Sequence, residues 1–106
     1  MNIIFSHVRE NFTEQIPLSE ISDKVSMTIP AFCRYFKKIS GKTFTQFVNE
    51  YRLVHAIKLL SEQPSSITEI CYQSGFNNFS HFNKQFKEFT GKSPSAYRNE
   101  LRKLVS

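Results

Sequence analysis

The chain has 106 residues, 40% of them hydrophobic and 11 of them Phe, which suits one compact unit with one modest core and is too short for a sensor joined to an output module. No apolar run approaches the roughly 20 residues of a membrane span, and Met1-Asn2-Ile3-Ile4-Phe5 is too short for a signal-peptide core, so no membrane contact and a cytoplasmic location are expected. The formal net charge of +5 favours a polyanionic partner, while Cys33 and Cys71 have no metal-ligand spacing and are expected to stay reduced and structural.

In chain order, a leading helix is expected over Ile3 to Phe12, then a short helix from Leu18 to Val25 that enters without a side-chain cap because Pro17 stands at its start. A turn at Ser26-Met27 leads to Thr28 as N-cap of a second helix, with Pro30 in its first turn, where a missing N–H costs little. Phe32, Phe36 and Ile39 face its core side, and Gly41 ends it. Phe44, Phe47, Val48, Tyr51, Val54, Ile57, Leu59 and Leu60 recur at helical spacing as a linker helix that stops near Ser61-Glu62-Gln63-Pro64.

The same plan then returns. Ser66-Ile67-Thr68-Glu69 is a capping-box pattern at the start of a short helix, Gly75 suits the left-handed turn after it, and Asn78 caps a helix with Phe79, Phe82, Phe86 and Phe89 inward. Gly91 stops that helix.

Sliding the chain along itself by 50 positions pairs Phe32 with Phe82, Phe36 with Phe86, Lys37 with Lys87, Gly41 with Gly91, Lys42 with Lys92, Asn49 with Asn99, Glu50 with Glu100 and Arg52 with Arg102. Two copies are too few for a solenoid, which needs at least three to bury its faces. Two helix-turn-helix units joined by a linker helix account for the matched turns and glycines, giving an all-α fold. The expected bounds are 1–43 for the first unit, 44–62 for the linker and 63–106 for the second.

Charge follows this plan. Met1 to Phe32 holds two basic and four acidic residues, whereas Cys33 to Ser106 holds twelve basic and five acidic. The outer face of the first long helix shows Pro30, Cys33, Arg34 and Lys37, and that of the second shows Ser80, His81, Lys84 and Lys87. Such faces suit the helix that enters a DNA major groove. Gly41-Lys42-Thr43 and Gly91-Lys92-Ser93 echo a phosphate-binding loop, but that loop needs a glycine where Phe36 and Phe86 stand, so these are helix stops.

Arg52-Leu53-x-x-Ala56-x-x-Leu59-Leu60, followed by Ile67-x-x-Ile70, Gly75-Phe76, Phe82, Phe86-Lys87 and Gly91-x-Ser93-Pro94-x-x-Tyr97-Arg98, resembles the AraC/XylS family of transcription regulators over nearly the whole chain. The resemblance implies about seven helices and two recognition helices reading successive major grooves. It places base reading on Pro30, Cys33 and Arg34 in the first and on Ser80, His81 and Lys84, with Asn83 nearby, in the second. Phosphate contacts are expected at Thr28, Lys37, Lys38, Lys42, Asn78, Lys87, Lys92 and Arg98.

The same resemblance implies a sequence-specific, promoter-directed activator that contacts double-stranded DNA and RNA polymerase; no nucleophile-base-acid set or metal cluster recurs in the sequence, so no catalysis, cofactor or metal is expected. The domain is expected to be monomeric by itself, either as a minimal regulator or, the favoured reading, as a piece of a longer one. A non-specific architectural protein is disfavoured by two unlike reading faces, and a protein-binding module by the positive face that remains.

Overall fold

The computed structural model describes residues 2–105. Among them are seven α-helices: α1 (Asn2–Asn11), α2 (Leu18–Lys24), α3 (Ile29–Ser40), α4 (Phe44–Glu62), α5 (Ile67–Gln73), α6 (Phe79–Thr90) and α7 (Pro94–Val105). No helix of the described residues is long and apolar enough to cross a membrane. The length suggested one core, but the chain divides into two compact units, Met1–Tyr51 and Arg52–Ser106. Each copy of the repeat buries its own phenylalanine face, which is why a single core does not form.

In the first unit Ile4 and Val8 of α1, Ile21 of α2, Phe32 and Phe36 of α3, and Phe44 and Val48 of α4 form the buried cluster. Phe36 meets Phe44 edge-on, with ring centroids 5.5 Å apart and planes at 86°. In the second, Leu53, Ala56, Leu59 and Leu60 of α4 pack with Ile70, Cys71, Phe76, Phe82 and Phe86. Phe86 meets Tyr97 of α7 in the same edge-on way, at 5.5 Å and 85°. Phe32, Phe36, Phe82 and Phe86 are all fully buried, so the shared Phe-x-x-x-Phe of α3 and α6 anchors each long helix.

Two expected core positions differ. Ile39 and Phe89 are 45% and 44% exposed. Both occupy the last turn of their helix, one residue or less from the Ser or Thr before the glycine stop. Helical spacing fixes the direction of a side chain, not whether another element stands opposite it. On α4, likewise, Leu53 and Ala56 are buried while Val54 is exposed.

The caps explain where the helices begin and end. The Thr28 hydroxyl accepts the Ala31 N–H at 3.2 Å, the Asn78 amide oxygen accepts the His81 N–H at 2.8 Å, and the Ser66 hydroxyl accepts the Glu69 N–H at 3.1 Å. Pro17 makes no side-chain cap bond to α2. At the other ends, Gly41 and Gly91 are left-handed, with φ 76° and 84°. Their amides donate to the Lys37 and Lys87 carbonyls at 2.9 and 2.7 Å.

The hydroxyl before each glycine is kept although the residue changes. Ser40 donates to the Phe36 carbonyl at 2.7 Å and accepts the Lys42 N–H at 3.1 Å. Thr90 does the same with Phe86 at 2.9 Å and Lys92 at 3.2 Å.

The tight turns share one motif. After α2, Met27 N–H reaches the Ser22 carbonyl at 2.9 Å and Ser26 N–H the Asp23 carbonyl at 3.1 Å. After α5, Phe76 N–H reaches the Cys71 carbonyl at 3.2 Å and Gly75 N–H the Tyr72 carbonyl at 3.1 Å. This double bond pattern requires a left-handed residue at its centre. Gly75 supplies it freely at φ 99°, whereas Ser26 is held at φ 58° against its Cβ.

Ser26→Gly is therefore expected to stabilise the first unit by about 0.5–1 kcal/mol, after the extra chain entropy of glycine is set against the relieved strain. A raised urea midpoint checks this, and an unchanged or lowered midpoint contradicts it.

Candidate nucleic-acid interface

Anchoring by Phe32 and Phe36 turns the opposite side of α3 outward. Pro30, Arg34, Lys37 and Lys38 are exposed there, while Cys33 is half-buried and packs against the first core. On α6, anchored by Phe82 and Phe86, Ser80, His81, Lys84 and Lys87 are exposed and Asn83 is half-buried. The His81 ring lies edge-on to Phe76, centroids 6.1 Å apart, so the core steadies it while it remains exposed.

Thr28 and Asn78 are exposed at the starts of these helices, with their side-chain oxygens already engaged in capping. The asparagine keeps its NH₂ group for an outside acceptor.

The cations expected to meet DNA fall into three groups. Arg34, Lys37, Lys38, Lys84 and Lys87 are exposed and form no ion pair within the described residues. Lys42 and Lys92 are half-buried and paired with Glu50 and Glu100, which cancels much of their reach toward an external anion. Glu50 and Glu100 are themselves repeat-related, so matched Lys and Glu eight residues apart in both copies was the sequence signal for these pairs.

Arg98 stands apart from the other cations expected on phosphate. It is 7% exposed, and its guanidinium donates to the Ser65 carbonyl at 2.6 Å and the Gln63 carbonyl at 3.1 Å. It ties the segment before α5 to α7 and does not lie with the exposed cations. Burial, and then the nearby Arg102 charge, lower its pKa from the ordinary guanidinium value.

Two exposed side chains on α3 lie outside the residues singled out by sequence, Ile29 and Tyr35. Tyr35 precedes Phe36 by one residue and therefore points about 100° away from it. The exposed Tyr35 ring adds apolar area beside the cations of that helix.

The other two histidines are half-buried and the second cysteine is buried. The His7 ring lies 3.2 Å from a Glu20 carboxylate oxygen and 3.3 Å from the Asn11 amide nitrogen. On α4, burial and the Lys58 charge lower the pKa of His55 against an opposing pull from Glu62. Burial pushes the Cys71 thiol up to about 11, which suits an unreactive core residue.

Comparison with known proteins agrees with this arrangement. A family described as "Helix-turn-helix domain" matches residues 21–100. The chain is 31% identical over 98 residues to the uncharacterized HTH-type transcriptional regulator YdeC of Bacillus subtilis, covering 92% of this chain and 34% of that protein. It is 30% identical to the HTH-type transcriptional activator RhaS of Citrobacter koseri, covering 92% of this chain and 35% of that one. The chain thus spans about a third of the length of these curated relatives.

Among solved structures, the DNA-binding domain of AdpA, a global transcriptional factor determined in complex with a target DNA, superposes with a TM-score of 0.86 at 25% identity, covering 93% of this chain and 89% of that one.

Proposed function

The chain belongs to the AraC-type helix-turn-helix family of DNA-binding transcription regulators, and from that membership we propose that α3 and α6 each read one of two successive major grooves at a promoter. The observation that carries this is the sidedness of both helices. Phe32, Phe36, Phe82 and Phe86 are sealed inward, while Arg34, Lys37, Lys38, Lys84 and Lys87 are exposed without ion-pair partners among the described residues. Five free cations on two anchored helices suit a polyanion, and helices of 12 residues are long enough to place several side chains along a groove.

Within that reading, Arg34 donates two parallel hydrogen bonds to a guanine edge, and Lys84 reaches the same kind of edge with less directionality. Pro30 and Cys33 touch thymine methyls, and Ser80, His81 and Asn83 supply the polar part of the second half-site. Lys37, Lys38 and Lys87 take phosphates, while Thr28, Asn78, Lys42 and Lys92 contribute less because their polar groups are already engaged.

The DNA site is bipartite and asymmetric, because the two reading faces differ and α4 continues unbroken from residues of one core into residues of the other. The role is activation at a promoter with RNA polymerase as second partner, in line with the activator named among the relatives.

Arg34→Ala and Lys87→Ala separate base reading from backbone contact. The first is expected to cost about 1–3 kcal/mol on the preferred sequence and to relax preference at one base pair. The second is expected to weaken preferred and scrambled duplexes alike and to reduce the salt slope by about one unit. Competition binding on both duplexes checks this, and equal losses for Arg34→Ala on the two would demote it to a phosphate contact.

A further inference from the structure

Within the first unit a cleft of about 500 Å³ opens beside α3, bordered by the first turns of α2 and α4. Leu18, Cys33 and Phe44 give it apolar walls, and Arg34, Lys37 and Lys38 line it as well. The apolar residues are buried or half-buried and the cations exposed, so charge stands at the opening and greasy surface lies behind it. No acid lines the cleft, and none of the three cations has an ion-pair partner among the described residues.

A phosphodiester would satisfy the cations but has nothing to offer the apolar wall. A ligand carrying one anionic group on an apolar body satisfies both, and the volume lies within the usual range of small-molecule sites, about 300–1,000 Å³.

We infer that this cleft binds a small aromatic monocarboxylate, with its anionic group among Arg34, Lys37 and Lys38 and its ring against Leu18 and Phe44, and that the bound ligand and DNA exclude one another. The exclusion rests on the DNA-reading role given above to Arg34 and its neighbours; the ligand site itself does not. The repeat supplies an internal control. In the second unit Glu88 stands where Lys38 is, Pro94 where Phe44 is and Asn83 where Cys33 is, which removes a cation and the aromatic wall together.

The test uses 2-naphthoate as the probe, titrated without DNA into the ¹⁵N-labelled full chain and followed by amide shifts. Saturable shifts are expected at Cys33, Arg34 and Thr45, with the counterparts Asn83, Lys84 and Ser95 unmoved. Lys38→Glu is expected to weaken binding by about tenfold or more, as is replacing the probe by the neutral 2-naphthalenemethanol, since each removes a charge-assisted contact. Lys24→Glu, with the same change in net charge but away from the cleft, should bind as the parent does.

No saturation, equal shifts in both units, an alcohol that binds as tightly as the carboxylate, or a Lys38→Glu chain that binds normally would each overturn the site. A fluorescent duplex then tests exclusion. Its apparent affinity should fall in step with naphthoate occupancy, and an unchanged affinity at saturation would overturn exclusion. A chain that bound naphthoate but no duplex would sink the DNA reading and leave the cleft standing.

Discussion

Phe36→Ala and Phe86→Ala are each expected to remove about 3–5 kcal/mol of stability, a large part of the 5–15 kcal/mol available to a small domain. Both rings are fully buried and each meets an aromatic partner edge-on, Phe36 with Phe44 and Phe86 with Tyr97, so truncation loses burial, ring contacts and packing around the hole together. Because each unit has its own core, the damage should be local. Amide exchange should accelerate around Ile4, Val8 and Ile21 for Phe36→Ala, and around Ile70, Cys71 and Phe76 for Phe86→Ala. Urea midpoints matching the parent in both variants would show that the inward and outward faces of α3 and α6 have been exchanged.

Binding to duplex DNA should fall steeply with salt. Arg34, Lys37, Lys38, Lys84 and Lys87 are the cations of α3 and α6, all of them exposed and without ion-pair partners among the described residues. If each neutralises one phosphate, log affinity declines against log salt with a slope of about −4.5, or roughly 500-fold between 50 and 200 mM. The ion-paired Lys42 and Lys92 and the buried Arg98 lie outside that count, as do the other basic residues of α4 and α7, which are not on the two long outward-facing helices. A titration giving a slope shallower than about −2 would mean that the exposed cations do not face the backbone together.

Most of the fold was readable because it is specified by short-range chemistry. Thr28, Ser66 and Asn78 cap the helices expected of them, Gly41, Gly75 and Gly91 take the left-handed conformation that stops a helix, and the Phe-x-x-x-Phe pairs are buried. Ser26 was identifiable as the weak turn because the other copy carries glycine at the same place.

What was not readable depends on partners distant in sequence. The carbonyls that hold Arg98 are 33 and 35 residues away, and nothing local separates such an arginine from one aimed at DNA. Ile39 and Phe89 continue the spacing of buried residues but lie past the packed part of their helices, and two cores in place of one emerge only from contacts between helices.

Selection of bound duplexes from a random pool, followed by sequencing, tests the two-reader account most directly. The account predicts one enriched motif in two unlike blocks centred about 10 base pairs apart, the first of which loses a guanine preference when the selection is repeated with Arg34→Ala. A pool that emerges without enrichment, or a motif that is palindromic or confined to one block, would contradict it.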